Sequence, residues 1–62
     1  MCEAHAFILK DGAEEMVLES VDLVEIEADQ VRMINIFGEQ KMFKARFRCY
    51  DNRQGKIVFE LA

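Results

Sequence analysis

Apolar and polar residues alternate along most of the chain, in short runs rich in β-branched and aromatic side chains. Turn-forming residues interrupt these runs at intervals of about ten residues. Because a two-residue period places alternate side chains on opposite faces of a strand, the pattern predicts an all-β meander. We expect five strands, at residues 2–9, 15–27, 31–37, 41–50 and 56–61.

The second predicted strand is long, and its alternation changes phase in the middle. Met16 and Leu18 follow one parity, whereas Val21 and Leu23 follow the other, with Ser20 between them. A bend or bulge at that point is the simplest explanation. Such a bend is how a small sheet curls toward a barrel.

Residues 13–28 also contain good helix formers, so a helix is the main competing interpretation of this segment. The four strand formers Val17, Val21, Val24 and Ile26 favour the strand. We therefore predict one all-β domain over residues 1–62, either a five-stranded SH3-like or Sm-like barrel or a strongly curled meander.

Alternation assigns faces to the other strands. In residues 41–50 it predicts an inward set of Phe43, Ala45, Phe47 and Cys49, opposite an outward set of Lys44, Arg46 and Arg48. Both faces of residues 2–9 are largely apolar, which predicts a first strand buried on both sides.

The Asp11-Gly12 pair that follows is a strong hairpin signal. The loop at residues 51–55 ends in Gly55, which suits a left-handed turn position.

The chain is short for a stable domain. Its 62 residues bury a modest fraction of their surface on folding. The hydrophobic share of 52% is high, so association with a second copy is the expected extra source of burial. We predict a homodimer.

Charge is distributed unevenly along the chain. Residues 1–30 carry nine acidic residues and one basic residue, and residues 31–62 carry seven basic and three acidic residues. In one small fold the two halves are expected to pair across adjacent strands. The alternative is an RNA-binding surface built from Lys44, Arg46, Arg48 and Arg53. The overall acidic balance and the opposite parity of the Phe residues weigh against it.

The sequence shows no signal peptide and no apolar run long enough to span a bilayer. We expect a cytoplasmic protein whose two cysteines stay reduced.

Cys2 is the residue that points most clearly to chemistry. Its thiolate lies close along the chain to the α-amino group and to the first backbone amide. Sulfur, amine and amide nitrogen together suit square-planar Ni(II) or Cu(II) better than tetrahedral Zn(II). The alternative is a small buried hydrophobe at the start of a strand, as most free cysteines are.

The other candidate ligands have less support. His5 would lie about 10 Å from Cys2 on a strand, too far to share a metal ion within one chain. Cys49 follows the inward parity and is interpreted as core. The sequence has no phosphate loop, no nucleophile–base pair and no cofactor fingerprint, so we do not expect an enzyme.

Four features together resemble the CooT family: the start Met1-Cys2-Glu3-Ala4, the short strands, the Phe37-Gly38-Glu39 turn and the closing strand that begins at Lys56-Ile57. The resemblance covers nearly the whole chain. Members of that family are small nickel-binding proteins associated with maturation of carbon monoxide dehydrogenase. The wider group is also described as predicted RNA-binding proteins.

The resemblance implies a role as metallochaperone or nickel store rather than catalyst. It also implies that Cys2 is the Ni(II) ligand, with the amino-terminal amine or nearby backbone nitrogens completing the site. It also implies a homodimeric small barrel with the two copies of Cys2 near the interface and one metal ion per dimer. The resemblance implies no ligand role for His5 or Cys49.

Overall fold

The computed structural model describes residues 4–61 and is all-β over that range. One six-stranded sheet runs in the order β2-β1-β6-β5-β4-β3. The strands are β1 His5–Lys10, β2 Ala13–Leu18, β3 Val21–Glu27, β4 Gln30–Asn35, β5 Gln40–Asp51 and β6 Lys56–Leu61. All pairings are antiparallel except that of β1 with β6, which is parallel.

The sheet is strongly curled but not closed. The two strands at its ends, β2 and β3, are joined by only Glu19 and Ser20, so the ends meet at one corner. The all-β fold and the curl are confirmed. The predicted count of five strands is one short, because the segment expected at residues 15–27 is two strands.

Ser20 interrupts that segment through its backbone. Its φ of 53° lies in the left-handed region, which a strand cannot contain. The bend predicted from the change in alternation is therefore confirmed at the expected residue. The Asp11-Gly12 turn is also confirmed, with φ values of 53° and 80°, as is a left-handed Gly55 at 64°.

The core lies on the concave inner face of the curled sheet. Its fully buried members include Ala6, Val31, Met33 and Phe59. Ala6 and Ile8 on β1 are buried, as is Ala4 just before the strand, whereas the other face of β1 is half-buried. The prediction that β1 is buried on both sides is therefore confirmed for one face and holds in part for the other.

The predicted inward set on β5 is wrong at its carboxyl end. Ala45 is buried and Phe43 is half-buried, but Cys49 is exposed. The register with β6 shifts between Phe47 and Cys49, and this bulge adds one residue that the partner strand does not match. Cys49 consequently pairs with Val58 and faces away from the core. Phe47 contacts Phe59 edge-to-face, with ring centroids 6.0 Å apart, but remains half-exposed.

Candidate functional site

The candidate ligand Cys2 lies outside the described residues, and the structure describes the chain from Ala4 onward. Ala4 is buried, and its carbonyl accepts a hydrogen bond of 2.8 Å from the backbone N–H of Val21. The N–H of His5 donates to the carbonyl of Gly55 at 2.7 Å. The sheet therefore holds the chain firmly two residues after Cys2.

A small apolar cavity opens beside this anchored point. Its volume is about 200 Å³, and its lining combines the start of β1 with β3 and the facing ends of β5 and β6: Ala4, Val21, Asp22, Leu23, Val24, Tyr50 and Ile57. Leu23 and Tyr50 are nearly half-exposed at the cavity.

His5 is occupied by a structural hydrogen bond. Its Nδ1 accepts from the backbone N–H of Ser20 at 3.1 Å. A neutral imidazole carries one proton, so Nε2 must then hold it and has no lone pair for a metal ion. This geometry agrees with the sequence argument against His5 as a ligand and gives it a different role, which is to hold the corner between β2 and β3.

Cys49 is accessible, but it stands apart from other ligands. Within residues 4–61 no group of three His, Cys, Asp or Glu side chains is placed to hold a metal ion. The thiol lies on the outer face of β5 opposite Val58, which is buried but does not belong to the core cluster.

The four basic residues considered for RNA binding are exposed, and two of them lie beside the acidic Glu60. Arg48 forms an ion pair of 3.6 Å with Glu60, and Arg46 lies opposite the same Glu60 across the β5–β6 ladder. Lys44 lies opposite Gln30, and Arg53 is in the loop before β6. The structure thus places these side chains on β5 and in the loop that follows it, with Glu60 on the adjacent strand β6.

Two further ion pairs join the acidic and basic halves of the chain. Arg32 on β4 pairs with Glu25 on the adjacent strand β3, as predicted. Lys56 on β6 reaches Glu14 on β2 at 2.5 Å, across the intervening strand β1. The hydrogen bond that Lys56 donates to Glu14 raises the pKa of Lys56 above its usual value. Lys56 also lies 5.3 Å from the centre of the Phe7 ring.

Comparison with known proteins identifies the family. The sequence model of the family described as "CO dehydrogenase accessory protein CooT" matches residues 1–60. The chain belongs to the CooT family. The matched range includes Cys2.

Two similar proteins support this assignment. A crystal structure described as "putative CooT from Carboxydothermus hydrogenoformans" superposes with a TM-score of 0.89 at 34% sequence identity, covering 98% of each chain. The uncharacterised protein MJ1551 of Methanocaldococcus jannaschii is 37% identical over 46 residues, which are 74% of this chain and 81% of that protein.

The Gly-Glu turn that marked the CooT resemblance is organised by Asn35, which sequence reasoning missed. Asn35 is 2% exposed, and its Oδ1 accepts from the N–H groups of Phe37 at 3.1 Å and Glu39 at 2.8 Å. Its Nδ2 donates to Glu39 Oε1 at 2.7 Å. Gly38 provides the left-handed backbone, with φ of 84°. The available signal was an Asn at the end of a strand, where it commonly caps a turn.

The described residues contain no helix long and apolar enough to cross a membrane.

Proposed function

We propose that this chain binds Ni(II) through Cys2 as cargo and supplies it during maturation of a nickel enzyme such as carbon monoxide dehydrogenase. The match to the CooT family over residues 1–60 is the observation that carries the proposal, because it gives both the client and the range that contains Cys2. A role in metal supply requires binding and release, and it requires no catalysis by the chain itself.

The proposed ligands are the Cys2 thiolate and nitrogens of the amino terminus or nearby backbone. A soft sulfur with amine and amide nitrogens favours Ni(II). The engagement of His5 Nδ1 by Ser20 supports a site that leaves His5 out. The isolation of Cys49 supports a site built on one cysteine per chain.

A homodimer would bring two such cysteines together. One Ni(II) bound between two copies would receive two thiolates, which one chain alone cannot provide from residue 2. The hydrogen bonds of Ala4 and His5 support this arrangement, since they fix the start of the strand that follows the site. Cytoplasmic location and reduced thiols are part of the same proposal, because an oxidised Cys2 could not ligate the ion.

The matched variants Cys2→Ser and Cys49→Ser test the site. We expect Cys2→Ser to abolish the thiolate-to-nickel charge-transfer absorption while leaving the circular dichroism of the fold unchanged. Cys49→Ser should titrate like the unaltered chain. Native mass spectrometry with and without Ni(II) should give one metal ion per dimer and the identity of the terminal residue. Equal nickel binding by Cys2→Ser and the unaltered chain would refute the proposal.

A pH series adds an independent check. Thiol and amine must lose protons to bind the ion, so apparent affinity should fall as pH decreases. Affinity that is flat with pH, or that survives in Cys2→Ser, would contradict binding through the Cys2 thiolate.

A further inference from the structure

The two end strands of the sheet, β2 and β3, each have one side without a strand partner within the described chain. An unpaired strand side presents N–H and C=O groups that can pair with another chain. We propose that the free edge of β3 accepts a basic, extended segment of a partner protein as an added strand. This inference goes beyond the nickel site and does not depend on it.

The length and exposure of β3 suit such pairing. It has seven residues, Val21–Glu27, enough for an ordinary strand ladder. Leu23 is 44% exposed and Ile26 is 54% exposed, although both are large and apolar. Strand addition would cover part of this surface while satisfying backbone groups, which is how many extended peptides are bound.

The two faces of β3 specify the chemistry of the added strand. Val24 pairs with the buried Met33, so Val24 and Ile26 lie on the inner face. Glu25 pairs with Arg32, so Glu25 and Glu27 lie on the outer face. A complementary strand therefore alternates apolar residues with basic ones.

A hollow on the outer face provides room for the basic side chains. Its volume is about 260 Å³, and it is lined by Glu25, Glu27, Gln30, Arg32 and Met42. Glu25 already pairs with Arg32, whereas Glu27 forms no ion pair among residues 4–61. A Lys or Arg from the partner could lay its aliphatic stem on Met42 and bring its charge to Glu27.

Charge disfavours a second copy of the chain as the occupant. Both free edges carry acids and no bases: Glu14 and Glu15 on β2, and Asp22, Glu25 and Glu27 on β3. Every strand-borne base lies on β1, β4, β5 or β6, and none of these strands is at an end of the described sheet. Edge pairing between copies would thus set acids against acids, which is unfavourable. We prefer β3 to β2 because Glu14 is already held by Lys56.

The test uses an eight-residue peptide of alternating Arg and Val, with an alternating Glu and Val peptide as its acidic counterpart. Binding is followed by backbone amide NMR and hydrogen exchange on the full chain. We expect the basic peptide to slow exchange at amides of residues 22–27, and the acidic one to have no effect. The double variant Asp22→Lys/Glu27→Lys should lower the affinity for the basic peptide by about tenfold or more, since each change replaces attraction with repulsion.

Glu15→Lys/Glu19→Lys is the matched control, because it makes the same change in net charge away from β3. It should retain most of the binding. If the β3 variant does not fold, Asp22→Asn/Glu27→Gln applies the same test with a smaller expected loss. Equal weakening by the control pair, protection at another strand, or no binding of the basic peptide would each overturn the proposal.

Discussion

At the scale of single residues, the side chain of Asn35 has the largest structural consequence for its size. It is a polar group in the core, and its three hydrogen bonds all go to the turn that follows β4. This turn keeps two large apolar side chains exposed to solvent, Ile36 at 58% and Phe37 at 66%. Bonds made by a buried amide are not replaced by water when the amide is removed, so the turn depends on this residue.

Replacing Asn35 by Ala should lower the free energy of unfolding by about 1–3 kcal/mol, because it leaves the N–H groups of Phe37 and Glu39 without their acceptor. Denaturant unfolding of the variant measures the loss. Asn52→Ala is the control, since Asn52 is exposed and accepts only from the Tyr50 hydroxyl. Its effect should stay within about 0.5 kcal/mol. Equal effects of the two substitutions would contradict the role given to Asn35.

At the scale of elements, the bulge in β5 determines where the second cysteine lies. A strict two-residue period puts Cys49 in line with the buried Ala45. One additional residue between Phe47 and Cys49 reverses the parity and moves the thiol to the outer face. The bulge therefore reverses which alternate residues of β5 face the core.

This placement predicts the reactivity of the thiol. In Cys2→Ser, where Cys49 is the remaining cysteine, a thiol reagent should react fully with the folded protein. The rate should be within about tenfold of that in denaturant, because the side chain is exposed and no conformational opening is needed. The same variant in denaturant serves as the reference. Reaction only after unfolding would support the inward position that simple alternation predicts.

Simple alternation predicted most of the fold but only some of its irregular positions. The Asp11-Gly12 hairpin and the break at Ser20 were visible because turn residues and a change of parity mark them. A turn was also expected at residues 28–30, between the second and third predicted strands, but its left-handed Ala28, with φ of 55°, was not, since Ala rarely adopts that conformation. The bulge at Cys49 was equally hidden, because its extra residue leaves the alternation along β5 unbroken.

Prediction of the site from sequence was limited in a different way. Cys2 was predicted from ligand chemistry and from family resemblance, and it lies outside the described residues. Sequence spacing argued against His5 as a ligand, but it could not reveal the hydrogen bond that His5 accepts from Ser20, fifteen residues away. Asn35 was missed because its partners become apparent only when the turn is formed.

At the scale of the whole molecule, the topology converts a charge difference along the sequence into a charge pattern in space. The acidic first half supplies both end strands and β1, and the basic second half supplies β5, β6 and nearly all of β4. Natural sheets use charges on end strands to prevent edge-to-edge association. The acids of β2 and β3 have that effect between copies of this chain, while leaving β3 attractive to a basic partner.

Neutralising the acids of β3 should therefore promote self-association. We expect Asp22→Asn/Glu27→Gln to form larger species than the unaltered chain at pH 7, measured by light scattering over a concentration series. The physical reason is that unpaired backbone groups and the exposed Ile26 remain while the repulsion is reduced. Asp11→Asn/Asp29→Asn makes the same change in net charge within turns and should leave association unchanged. If both variants associate equally, net charge alone keeps the molecules apart, and the position of the acids on β3 has no special effect.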